Sequence, residues 1–181
     1  CAGRKKLLLD ADPKQTLKAL RSYKIGAVSL ANSHSYDFGL NRLWSMLAQF
    51  SKANIRHFGA DRREEQAVRP LRIAAEVGGH RLGIQIFAAV QYSRKADQDL
   101  KVLSAPGRPG VACLSEELIS AIAEARAAAP QDLIIAYPHW GESYSWGTAE
   151  QREIAGWLIG AGADLVLGHG ARMLQEIEHV D

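Results

Sequence analysis

Between Asp132 and Gln175 the chain reads DLIIAYPHWGESYSWGTAEQREIAGWLIGAGADLVLGHGARMLQ, and this stretch restricts the fold more than any other. Its apolar runs, Leu133 to Tyr137 and Ala163 to Leu167, have the length of short buried strands. Between them Thr148 and Gln151 have capping-box spacing, and Ile154, Trp157, Leu158 and Ala161 recur on one face of a helix. Strand, helix and strand of this length predict a parallel crossover. Such a unit brings both strand ends to one edge of a sheet, where open α/β sheets place their sites. The loops at that edge carry His139, in PHWGE, and His169, in GHGAR.

The same logic repeats upstream. Asp12 followed by Pro13 reads as an N-cap and a first helical residue, and Leu17 and Leu20 give that helix a short apolar stripe. Ile25 to Leu30 is small and β-branched, the composition of a buried parallel strand, and it delivers the polar loop ANSHSYDFG at residues 31–39. A helix from about Gly39 to Ala53 places Leu40, Leu43, Trp44, Leu47 and Phe50 on one face, and Ile55 to Phe58 supplies the returning strand. From Arg69 the period drops to that of strands: LRIAAEV, a Gly78-Gly79 turn and HRLGIQIFAAV predict a hairpin. Residues 91–110, with Asp97, Asp99, Pro106, Gly107, Pro109 and Gly110, read as a long loop suited to a lid or a surface insertion. Ser115 then caps a helix with Glu116 and Glu117 in its first turn and Leu118, Ile119 and Ile122 facing inward, closed by Pro130. The class is α/β, with mixed strands and helices packed on the sheet.

Composition excludes several functions. At 181 residues, 47% hydrophobic and 23% charged, the chain has the make-up of one globular domain with a substantial core. A formal net charge of +2, with bases and acids interspersed, gives no footprint for nucleic acid. Cys1 and Cys113 form neither a disulfide framework nor a metal-ligand spacing. No run approaches the roughly 18 apolar residues of a membrane span.

Chemistry must therefore come from the loops. Asn32, His34, Asp37, His139, Glu142 and His169 all follow predicted strands. Imidazoles, an amide and carboxylates on separate strand ends are what a bound divalent metal with hydrolytic chemistry requires. A single histidine in such a place is more often a hydrogen-bonded loop residue; its recurrence in three loops gives the metal equal weight. Asp37 reads first as a helix cap and second as a catalytic acid. Trp140, Tyr144 and Trp146 suit either packing under the helix or a stacking wall for substrate, and Gly141, Gly168 and Gly170 suit tight turns. Arg172 suits either an anion contact or an ion pair with Glu176.

SLANSHSYDFG, EVGGHRLGIQIFA, PHWGESY and EQREIAGWLIGAGADLVLGHGARMLQ resemble, in order and over nearly the whole chain, the bacterial capsule-synthesis family that includes the poly-γ-glutamate synthesis protein A type. The domain of that family is similar to calcineurin-like metallophosphoesterases. The resemblance implies a layered α/β sandwich, a mixed sheet with flanking helices, present here as one partial domain over residues 1–181. It also implies a metal-dependent phosphoesterase-type site, with manganese, zinc or iron held by Asn32, His139 and His169 and with His34 and Asp37 in catalysis. Glu142 and Arg172 are then expected to contact substrate, a polyanionic polymer or a phosphorylated small molecule. Other capsule-synthesis proteins are the expected partners, and the cell envelope or its outer face the expected location, with any membrane association made through segments beyond this sequence.

The sequence departs from the family pattern at several points. Ser33 replaces the second asparagine before the histidine, Glu142 comes one residue early, and Arg172 stands where another histidine is usual. A serine hydroxyl and a guanidinium are poor metal ligands, and arginine keeps its proton. Weakened or absent metal binding is the expectation, and a non-catalytic binding or assembly protein of the same fold is the alternative to the enzyme. The family's first aspartate-bearing strand, its Asn-Leu-Glu loop and its Ser-Leu-Gly-Asn-Phe strand have no counterpart. The start CAGRKK suits an internal fragment, a processed chain or an acylated lipoprotein, and the missing parts favour the fragment.

Overall fold

The computed structural model describes residues 10–91, 103–104 and 108–180. Helix α1 (Pro13–Ser22) begins as expected: Asp12 Oδ1 accepts a hydrogen bond from the Gln15 backbone at 2.8 Å. Leu17 and Leu20 lie against the core without being fully buried. Lys24, at φ 56°, then turns the chain into β1 (Ala27–Ser29). Helix α2 (Leu40–Lys52) buries Leu43, Leu47 and Phe50, each contributing about 2 kcal/mol of apolar transfer. It returns the chain to β2 (Arg56–Phe58), which pairs in parallel with β1. These two strands make a sheet of their own, so β1 is only half-buried where its composition suggested a covered central strand.

A short strand β3 (Ala60–Asp61) and helix α3 (Glu64–Ala67) lead to the hairpin, β4 (Leu71–Val77) and β5 (His80–Val90). The register runs from Leu71 opposite Ile86 to Val77 opposite His80. Gly78 and Gly79 have φ of 57° and 79°, the paired positive values that a two-residue turn of the right twist demands. Strand β6 (Gly110–Val111) pairs antiparallel with β3. Of the predicted long loop, residues 92–102 and 105–107 lie outside the described residues. Helix α4 (Glu116–Ala128) crosses to β7 (Leu133–His139), and α5 (Ala149–Gly160) crosses to β8 (Leu165–Val166). The resulting sheet has the order β4-β5-β7-β8, with β5, β7 and β8 parallel.

Both crossovers follow from local chemistry. Thr148 and Gln151 form the full capping box at the start of α5. Ile154 and Leu158 are buried as the spacing predicted, but Trp157 is 56% exposed, and the third buried position of the helix is Gln151. Strand β8 ends the strand order and is two residues long instead of five; Leu165 within it and Leu167 just after it are exposed. At its C-terminal end α4 is tied down by Arg126. Its guanidinium donates to the carbonyls of Pro130, Asp132 and Gly162 and pairs with Asp164.

The two main sheets meet at Gly59. A Cβ there would lie 2.7 Å from the Ala31 methyl and 3.2 Å from that of Ala88, so the end of β1 and strand β5 approach across a glycine. The backbone of residues 112–114 stitches the same place, with the Ala112 N–H donating to Gly59, the Val90 N–H to Ala112 and the Leu114 N–H to Val90. Among the described residues no helix is long and apolar enough to cross a membrane.

Candidate functional site

The parallel crossover places His139 at the last position of β7 and His169 just beyond β8, and the two residues face each other as a β-bridge. Backbone hydrogen bonds hold the pair: His169 N–H donates to Pro138 and Trp140 N–H donates to His169, both at 2.9 Å. Of the neighbouring glycines, Gly168 is required by close approach, and Gly170, at φ 115°, by its backbone conformation as well. A Cβ on Gly168 would collide with the Trp140 indole nitrogen, and one on Gly170 would lie 3.2 Å from the His139 ring. Trp140 is accordingly buried under the loop, the packing role of the two its sequence allowed.

The imidazoles meet edge to face with centroids 4.9 Å apart and an interplanar angle of 83°. Tyr137 stacks on His169 at 4.1 Å and 22°. His169 Nε2 is buried and has no hydrogen-bond partner among the described residues. Burial, and then the nearby His139, push the His169 pKa down to about 4. The ring is neutral at physiological pH, with a lone pair available for a cation.

The loop after β1 makes a separate group. Asn32 Oδ1 accepts from the His34 backbone at 2.9 Å, a local Asx turn. His34 Nδ1 bonds to Asp37 Oδ2 at 2.8 Å, and the Asp37 side chain is fully buried. Asp37 therefore orients His34, and Gly39, at φ 80°, stands at the N-cap of α2 in place of the predicted aspartate. Residues 33–38 form a turn, within which the carboxylate reaches back to His34.

Among the described residues no three histidine, cysteine or carboxylate side chains come close enough to hold one metal ion. The structure thus unites His139 with His169, and Asn32 with His34 and Asp37, without joining the two groups into such a cluster. Glu142 lies in the loop after β7 and is exposed. Arg172 is exposed at φ 58°, with no ion pair among the described residues. Glu176, its expected partner, instead accepts from the Gly147 N–H at 3.1 Å and faces Arg152 at 4.0 Å. Residues 174–180 have no regular structure. Tyr144 and Trp146 are 71% and 66% exposed, on the same loop as His139.

Sequence reasoning missed Tyr137 and Gln91. Tyr137 was legible, because alternation along a strand puts it on the same face as His139. Gln91, whose Oε1 accepts from the Gly141 N–H at 2.9 Å, had no local signal, since the contact spans 50 positions.

Residues 2–181 match the family described as "Bacterial capsule synthesis protein PGA_cap". The chain is similar to the "PGA biosynthesis protein CapA" of Bacillus subtilis, 28% identical over 91% of this chain and 41% of that protein. It is 24% identical to the "Capsule biosynthesis protein CapA" of Bacillus anthracis, over 91% of this chain and 39% of the relative. A "Probable polyglutamine synthesis accessory protein" of Mycobacterium tuberculosis is 28% identical over 92% of this chain and 44% of its own length. The chain spans about two fifths of the length of the curated relatives it matches.

Proposed function

The chain belongs to the bacterial capsule synthesis protein family, and from that membership we propose that it serves capsule or poly-γ-glutamate formation through a metallophosphoesterase-like site centred on His139 and His169. One observation carries the reading: two imidazoles face each other at adjacent parallel strand ends, one with a buried, unpartnered nitrogen. An unpaired buried nitrogen is costly unless something binds it, and a pair of borderline imidazole nitrogens suits zinc or iron better than manganese. A cation there would supply charge neutralisation for a phosphoryl group and an activated water.

These residues fit part of a site. Two imidazoles are a half-set, and Asn32, the third ligand implied by resemblance, already accepts a backbone hydrogen bond through its only ligating oxygen. We therefore read the metal as weakly held by this chain. The buried Asp37 holds the His34 ring in place with Nδ1 as donor, which suits His34 to phosphate contact or proton transfer. Glu142 and Arg172, exposed three residues after His139 and His169 respectively, are our candidates for contact with a polymer or phosphorylated substrate.

A second reading, a binding or assembly protein with a decayed site, is favoured by Arg172 itself. An exposed guanidinium with no ion pair among the described residues, where the family pattern has a histidine, suits holding an anion and does not suit holding a cation. In either reading the polymer, the partner capsule proteins and the envelope location are part of the proposal. Hydrolysis of bis-p-nitrophenyl phosphate with added manganese by the full-length polypeptide decides between them. Turnover lost in His139→Ala and His169→Ala supports the enzyme; no turnover, with polyglutamate binding that depends on Arg172, supports the binding protein.

A further inference from the structure

On the side of the molecule formed by α1, α2 and the loop after β1 there is a cavity of about 320 Å³. That is at the lower end of the range for sites that enclose a small molecule, about 300–1,000 Å³. Its apolar wall includes Leu17, Phe38, Met46 and the buried Leu30 and Phe50. Its polar groups come from Asn32, His34, Ser35, Arg42, Ser45 and Gln49, with Asp10 and Thr16 at the α1 side.

Charge decides the ligand class. Arg42 is the cation in the lining that keeps its charge at every working pH, and it makes no hydrogen bond or ion pair among the described residues. An exposed arginine at the rim of a half-open, largely apolar cavity is suited to a carboxylate, which its planar fork holds through two parallel hydrogen bonds. The Asn32 oxygen is taken by the His34 N–H, which leaves its NH₂ as a neutral donor, and the Ser35 and Ser45 hydroxyls add two more. Asp10 opposes a second negative charge, so a monoanion fits better than a phosphate dianion. The lining is built before any ligand arrives: α1 is capped by Asp12, α2 packs through Phe50, and Asp37 fixes the His34 ring.

We propose that this cavity is a binding site for a small organic carboxylate, its headgroup on Arg42 and its apolar body against Leu17, Phe38 and Met46. The site uses a different loop from the His139–His169 pair and needs no metal. It shares Asn32 and His34 with the proposed metallophosphoesterase-like site, but its headgroup contact, Arg42, and its apolar wall are outside that site.

The test is an NMR titration of the full chain with hexanoate in the presence of a chelator, with hexylammonium and inorganic phosphate as the other ligands. Hexanoate is expected to shift the Arg42 Nε–H and the amides around Phe38 and Met46 saturably. Arg42→Ala should weaken it by about tenfold or more, the size of a lost charge-assisted pair. Met46→Trp, which fills the space while keeping the chain apolar there, should abolish it. Equal binding of hexylammonium, equal binding of phosphate, an undiminished affinity in Arg42→Ala, or no saturable shift in a folded chain would each overturn the proposal.

Discussion

His139 and His169, 30 positions apart in sequence, face each other as a parallel β-bridge with their rings 4.9 Å apart and nearly perpendicular. The crossover through α5 brings them there, and the glycines at 168 and 170 let them close. What each part contributes can be measured separately.

The pH dependence of stability should carry the mark of His169. A free histidine titrates near 6.5, whereas burial and the neighbouring His139 hold this one down to about 4. Above 6.5 neither the folded nor the unfolded chain carries this proton, and the contribution is fully present. As the pH falls from 6.5 towards 4 the unfolded chain takes up a proton that the folded chain refuses, so stability falls; below about 4 the loss is complete. Urea midpoints at pH 7 and pH 4.5 should therefore differ less in His169→Phe than in the wild type. An equal difference in the two proteins would contradict the assignment.

Gly168→Ala should destabilise the chain by about 1–3 kcal/mol, because the added methyl meets the indole of a buried tryptophan. Trp140 must move, and His169 moves with it. Denaturation and tryptophan emission report the two effects together, and an unshifted midpoint would show that the loop has room this geometry denies it.

Arg126→Ala should cost about 2 kcal/mol, since its guanidinium satisfies three carbonyls and one carboxylate at the junction of α4, β7 and the end of α5. Arg126→Lys should recover only part of that, because an ammonium cannot span the same set. Chemical denaturation of both variants checks the ranking.

At the start of α5, Thr148→Ala removes the oxygen that accepts from the Gln151 N–H at 3.2 Å. The expected loss is about 1 kcal/mol, with Thr148→Ser close to wild type. Thermal melts of the two variants would distinguish a cap from a merely polar position.

Much of this was legible in the chain. The crossover from β7 through α5 to β8 could be read because the apolar period, the capping box and the glycine-flanked histidines agree with one another. The hairpin could be read from Gly78-Gly79. What could not be read was decided by contacts distant in sequence. Whether Ile25 to Leu30 is covered depends on which strands pair beside it, and it lies in a sheet of its own. Trp157 has core spacing but an exposed ring, on the helix that leads into β8, the last strand of the sheet order. Asp37 has the offset of a cap and the role of a histidine partner, a choice made by the turn through residues 33–38. The pairing of Glu176 with Arg152 and Gly147, and not with Arg172, follows from residues 174–180 being non-helical.

The most direct measurement is calorimetric titration of zinc or manganese into the wild-type chain and into His139→Ala and His169→Ala. The account predicts weak uptake of a single ion by the wild type, lost in both variants. Two ions per chain retained through dialysis, or uptake that survives both substitutions unchanged, would contradict it.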